Sequence, residues 1–559
     1  MTEPFSLARQ AWIPVALDDG RRVFVRPCEV SQPFDGRTIL RVATGRPDCD
    51  ISLTEFLIGL LAVAIGPKDR RDWVQRYRNP PTAAELETAF APFDAALLLD
   101  GDGPRFFQDL DPLAGGPSPI EGLLIDAPGG NTIKENADHF VKRGRSAALS
   151  RSGAAIVLAT LQTSAPAGGA GNRTSLRGGG PLTTIIVPGT QDNREPSLWE
   201  RLWANVPAGM QATAADIQSV FPWTTATRVS DKSGKTTTPD DVHPAQAFFG
   251  MPRRIRLNFE PNGEQHPCDL LGIVDDVVVT GYVTRPWGTN YTAWSQGHPL
   301  SPYYRMKETD LEFLPLHLQS SRVGYRQWLG MVMEGQKGLR VPARCLTEFP
   351  QRARDLVPRD DAVLRRARLL VAGYAMDNMK PLDFAEALLP LILTGSAIAD
   401  DAIKELARHW VEAADMVANQ TVTAVRLALY GEKSKADRDS TVLEAVKARF
   451  WADTDDAFYA ALRSAADSLE AESDSECHAD MNRAASAGWL ATLRRHALAI
   501  FDDAVPIEDA EGHRIEDIIT GRKMLGLMLN GQGKGGAGLY QLLDQPSPEA
   551  KPRRARKTA

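Results

Sequence analysis

The sequence predicts an α+β protein of 559 residues: a large, irregular mixed domain over residues 1–390, followed by an all-α bundle of about four helices over 391–545. Three observations carry this. The first 390 residues are rich in proline and glycine, with short apolar runs and no sustained helical period. Near residue 390 alanine becomes dominant and apolar residues start to recur with a 3.6-residue period. The composition, 43% hydrophobic and 24% charged, is that of an ordinary globular chain able to bury cores of this size.

Within the first domain, Arg22-Val23-Phe24-Val25-Arg26 alternates as a strand does, and residues 182–187, 255–259 and 277–283 also read as extended. Helices are expected at 53–65, 83–90 and 197–203. The apolar run 56–65 (FLIGLLAVAI) stops at Gly66-Pro67; ten residues cannot cross a bilayer, so it reads as a buried helix. Residues 223–244, rich in Ser, Thr, Lys, Asp and Gly, read as an exposed loop. In the bundle, Ile403, Leu406, Trp410, Ala414 and Val417 share one helical face. Val442, Val446 and Phe450 share another, as do Phe458, Leu462, Ala465 and Leu469, and then Leu490, Leu493, Ala497 and Phe501. Breaks at 431–433, 453–455 and 472–475 imply antiparallel neighbours. Residues 546–559 carry five bases and one acid and read as a disordered solubility tail.

The chemistry of familiar active sites is missing. Gly531-Gln-Gly533-Lys-Gly-Gly536 matches GxGxxG, but it follows a helical run and leaves no room for a βαβ unit, so it reads as a helix end. No GxxxxGK[ST], HExxH, GxSxG or CxxC occurs. His243, His266, Cys268 and His298 fit no closed zinc spacing, so no metal is expected. Asp240-Asp241 and Asp275-Asp276 read as solvated turns. The expectation is a protein with no catalytic residues and no cofactor. Five scattered cysteines and the lack of a leader-like N-terminus point to a reducing cytoplasm.

The most informative stretch is 165–189, APAGGAGNRTSLRGGGPLTTIIVPG. Its two glycine clusters permit positive φ and close approach of another molecule to the main chain; the arginines between them, Arg173 and Arg177, suit a phosphate or a base edge. A long surface loop is the plain alternative. Charge is segregated nearby: residues 81–126 hold nine acids and one base, whereas 131–180 hold seven bases (Lys134, Lys142, Arg143, Arg145, Arg151, Arg173, Arg177) and two acids, a net +5. A local field of that sign suits a polyanion despite the overall −7. Three readings stay open on these residues alone: a non-catalytic DNA-recognition subunit, a nucleic-acid-processing enzyme with an unrecognised active site, and a structural ribonucleoprotein scaffold.

Trp12-Ile13-Pro14-Val15, the loop with Ser175-Leu176-Arg177-Gly178-Gly179 and Thr183-Thr184, and the C-terminal bundle together resemble the CasA family. Its members are the large subunits of the type I-E CRISPR surveillance complex, Cascade, and the resemblance runs over nearly the whole chain. It implies a non-enzymatic subunit that partners the other Cascade subunits and the 5′ handle of the guide RNA. Such a subunit reads the protospacer-adjacent motif (PAM) in the minor groove of target double-stranded DNA. It helps to open the duplex and recruits a helicase–nuclease, with no membrane involved. The family's glycine loop falls on Gly169, Ala170 and Gly171, with alanine at 170 in place of glycine. A loop touching guide handle and PAM falls on Phe140, Val141 and Lys142, where Phe140 would stack on an unpaired guide base and Lys142 stands in place of an amide. The strand-separating hairpin falls on Met376, Asp377, Asn378, Met379 and Lys380, and a basic minor-groove residue on Arg285.

Overall fold

The structure, a computed structural model, describes residues 3–136, 138, 143–169, 171–231, 234–318, 323–357, 360–377, 380–431, 440–471, 475–507 and 512–546. Helix accounts for 47% and strand for 15%, which is the mixed class expected. The chain divides into two compact units: residues 1–323 with 330–391, and residues 324–329 with 392–559.

The first unit is built round the helix Pro47–Ile65. Pro47 sits in its first turn with Asp48 and Asp50, groups that suit a helix N-terminus, and Gly66 ends it. Because it is apolar on nearly every side, it is buried on nearly every side. It starts six residues before the expected position 53. The two aspartates make that turn read as polar, yet Asp48 is buried, paired with Arg46 at 2.7 Å and accepting a hydrogen bond from the Tyr374 hydroxyl at 2.5 Å. Phe56 of this helix meets Trp12 and Phe106 with ring centroids 5.9 and 5.3 Å apart.

Among the described residues the first unit holds four antiparallel sheets, of which three bear on the sites described below. Ile13–Leu17 lies between Arg22–Val25 and Ile39–Val42. Val277–Arg285 pairs with Arg254–Pro261 and with the short strands Ser118–Pro119 and Leu149–Ser150. Arg368–Asp377 is central between Lys380–Pro390 and Thr183–Val187, with a bulge between Ala375 and Met376. The helix Ala83–Phe90 has the expected bounds, set by a Thr82–Glu85 capping box. The helix Arg151–Ser164 was not expected; Ser150 caps it and most of its small residues are buried.

Residues 223–244 form the loop expected, its described residues exposed or half-buried except at three anchors. Trp223 is wholly buried and donates from Nε1 to the Ala96 carbonyl at 2.7 Å, while Ser230 and Thr237 are buried as well. Residues 232 and 233 lie outside the described residues.

In the second unit, helices span Ala397–Tyr430, Ser440–Ala471, Ser475–Ala504 and His513–Leu529, with a shorter fifth over Gly533–Leu542. The expected faces are buried, apart from Val442, which is 38% exposed in a first turn. The break expected at 453–455 is absent. Thr454 and Asp455 instead face residues 324–329: Thr454 Oγ1 lies 2.9 Å from the Tyr325 hydroxyl, and Asp455 accepts from the Tyr325 amide at 2.9 Å. The Gly531–Gly536 stretch starts a helix as well as ending one. A Cβ on Gly536 would stand 2.8 Å from the Met528 carbonyl oxygen, so glycine lets the two segments close up.

Candidate nucleic-acid interface

The stretch 165–180 is a tethered loop. At its base the Ser175 amide donates to the Ala165 carbonyl at 3.0 Å and the Gly180 amide to that of Ser164 at 3.1 Å. Near its far end Gly171 accepts from the Trp287 amide at 2.7 Å. Gly171 has φ +83°, and a Cβ there would lie 2.7 Å from Pro286 Cβ, so this position requires glycine for both reasons. Gly169, at φ +71°, is exposed and has nothing within 4 Å of a notional Cβ. A Cβ on Gly180 would stand 2.6 and 2.7 Å from side-chain atoms of Met376 and Tyr374. One glycine stretch is therefore held at one end by the turn after Val277–Arg285 and at the other by the hairpin strand Arg368–Asp377.

The arginines part company. Arg173 is half-buried: its Nε donates to Ser230 Oγ at 2.8 Å and its guanidinium lies 5.3 Å from the centre of the Trp287 ring. Arg285 is exposed at the end of its strand. Arg177 is 3% exposed, which corrects its expected DNA contact. Its guanidinium pairs with Glu55 at 2.6 Å and donates to Ser301 Oγ at 2.9 Å and Thr183 Oγ1 at 3.1 Å; Thr183 in turn donates to Glu55. A fork so occupied inside the protein has no donor to offer a groove. His298 completes the cluster 3.8 Å from Glu55, its Nδ1 accepting from the Leu300 amide. Burial, with Arg177 nearby, holds this imidazole well below its ordinary pKa.

The +5 segment is likewise mostly neutralised. Arg143 pairs with Asp138, an acid of the segment already counted, whereas Arg145 pairs with Asp126 at 2.7 Å, Arg151 with Asp275 at 2.6 Å and Arg177 with Glu55, all from outside it. Sequence segregation of charge did not foresee that acids from elsewhere fold back onto it.

At the hairpin, Asp377 and Lys380 are both exposed and stand opposite each other as the last register pair. Asn378 and Met379 lie between them, outside the described residues, as do Ala170 and Phe140, Val141 and Lys142. Three contributors were not read from the sequence. Trp287 ties the loop to the sheet; an aromatic beside Pro286 and Gly288 was its only signal. Ser230 holds Arg173. Arg253 lies beneath the loop, donating to the Pro166 carbonyl, and burial lowers its pKa to about 10. Among the described residues no group of three or more His, Cys, Asp and Glu side chains is placed to hold a metal ion. No single described helix is long and apolar enough to cross a membrane.

With this geometry in view, the relatives decide the family. The sequence model described as CRISPR-associated protein Cse1 matches residues 6–500. The chain belongs to the Cse1 family. The fold resembles that of a CRISPR-associated protein from Thermus thermophilus, 19% identical over 95% of this chain and 100% of that one, TM-score 0.69. It resembles Cse1 from Acidimicrobium ferrooxidans, 17% identical over 98% and 100%, TM-score 0.65. It also resembles a chain of a CRISPR RNA-guided surveillance complex, 15% identical over 94% and 100%, TM-score 0.62. The glycine loop and hairpin of this Cse1-family chain thus sit on a fold shared over nearly its full length.

Proposed function

We propose that this chain is the non-catalytic large subunit of a type I-E Cascade complex in the cytoplasm. It partners the other Cascade subunits and the 5′ handle of the guide RNA. It reads the PAM in the minor groove of target DNA, helps to open the duplex for guide pairing and recruits a helicase–nuclease. One observation carries the reading beyond family membership: a single glycine stretch reaches from the exposed Arg285 end of one sheet to the hairpin of another. Bare main chain at Gly169 suits the shallow, degenerate minor-groove edge, where a side chain would hold the backbone off. Arg285 and Lys380 supply cations at its two ends; Asn378 and Met379 are assigned to strand separation through the family resemblance alone. Phe140, Val141 and Lys142 are assigned to guide handle and PAM through the family resemblance alone.

The test uses the assembled complex with its guide RNA. Gly169→Asp combined with Asn378→Ala is expected to leave assembly intact and to weaken binding of a PAM-bearing duplex by about tenfold or more, from lost groove fit and an added like charge. Unchanged PAM discrimination would favour a scaffold. Cleavage of a labelled duplex by the pure chain with Mg²⁺ would overturn the non-catalytic part.

A further inference from the structure

A cavity of 520 Å³ opens on one face of the sheet formed by Thr183–Val187, Arg368–Asp377 and Lys380–Pro390. Its floor is one rung of that sheet: Ile185, Leu370 and Leu388 are register partners across the three strands and make a flat aliphatic surface. Four arginines line it, Arg41, Arg194, Arg201 and Arg368, and Arg194 is taken up by Glu200 at 2.6 Å. Arg201 is held by Glu195 at 2.5 Å, whereas among the described residues Arg41 and Arg368 make no ion pair. Burial lowers the pKa of Arg201 to about 10; Glu195 opposes that effect and Arg368 and Arg41 add to it, so both of these lie near Arg201. Of the three acids on the lining, Glu195 is taken up by Arg201, and neither of the other two pairs with Arg41 or Arg368. Asp50 is turned to Thr44, accepting from its amide at 2.6 Å and its hydroxyl at 2.7 Å, and Glu386 is exposed at the rim.

Arg41 and Arg368, without an ion-pair partner among the described residues and beside an aliphatic floor, offer their donors to an anion. The volume lies in the range of small-molecule sites and exceeds what a bare phosphate fills. We propose that this cavity binds an organic phosphate with a flat body, of the size of a nucleoside monophosphate. The phosphate lies among Arg41, Arg201 and Arg368, and the flat body lies on the Ile185–Leu370–Leu388 rung. The inference stands apart from the DNA reading and does not rest on it.

The probes are AMP and inorganic phosphate, titrated calorimetrically into the full chain. The variants are Arg41→Gln with Arg368→Gln, and Leu388→Trp, which fills the floor from a residue 44% exposed. AMP is expected to saturate and to bind at least about tenfold more tightly than phosphate. That affinity should fall about tenfold or more in the double arginine variant and in Leu388→Trp, each keeping the parent unfolding midpoint. No saturation by AMP, equal affinity for phosphate, or undiminished AMP binding in either variant that keeps the parent midpoint would overturn the proposal.

Discussion

Replacing Arg177 by methionine tests whether this arginine belongs to the interior or to a DNA surface. Arg177 and Glu55 are 3% exposed each, so water does not screen their 2.6 Å pair. Removing the guanidinium leaves the Glu55 carboxylate buried with Thr183 as its remaining donor and His298 3.8 Å away, neutral because burial disfavours its charge. Stripping one partner from a buried pair costs ~3–5 kcal/mol, and the hydrogen bonds lost to Thr183 and Ser301 belong to that same sum. Such a loss is a large part of a domain's stability. Glu55→Met added to Arg177→Met removes both charges and should restore most of it, because replacing a whole buried pair by apolar groups of similar volume is close to neutral. Hydrogen exchange over residues 47–65 and 175–187 reads this locally, which suits a chain of two units better than one global midpoint. A single-variant cost below about 1 kcal/mol, or a double variant no better than the single, would refute the assignment of Arg177 to the core.

Three further outcomes are expected. Gly171→Ala meets both a positive φ and Pro286 at 2.7 Å, so it should shift the loop and lower target affinity more than Gly169→Ala, which meets a positive φ but no neighbour within 4 Å; equal effects in a gel-shift titration would argue against the tether. Arg285→Gln should weaken target binding evenly across sequences and reduce the slope of log affinity against log salt by about 1; an unchanged slope would remove Arg285 from the phosphate contacts. His298 binds its proton less readily folded than unfolded, so stability should fall as pH drops below the ordinary imidazole value of 6.5, by at most about 1.4 kcal/mol per pH unit. His317, also lowered by burial, adds to that slope, so His298→Gln should shallow it without abolishing it, as urea midpoints between pH 7 and 5 would show.

Local signals were legible wherever they act within a few residues. The helix Ala83–Phe90 was expected with its bounds, which the local Thr82–Glu85 box sets, and the 3.6 period marked the bundle faces. Signals that depend on distant partners were not. Asp48 is polar in the sequence and buried in the fold because Arg46 and Tyr374 reach it, which hid the first turn of the helix Pro47–Ile65. Thr454 and Asp455 look like a helix break until residues 324–329 supply their partners. Arg177 looked like Arg173, its neighbour between glycines, because nothing near it in sequence reveals Glu55, 122 positions away. Gly169 and Gly171 were recognised as a pair, but only the fold separates the exposed one from the one locked against Pro286.

The hairpin has a mechanical consequence. Its strands are joined at ten register positions, from Arg368–Pro390 to Asp377–Lys380, and Thr183–Val187 braces the lower five, Arg368 to Ala372. Beyond them Leu318 bridges Ala375, and the bulge between Ala375 and Met376 bends the strand just before its last two rungs. A pull along the ribbon is therefore shared by every rung down to the braced base, and the same strand that carries the load keeps Gly180 in place through Tyr374 and Met376.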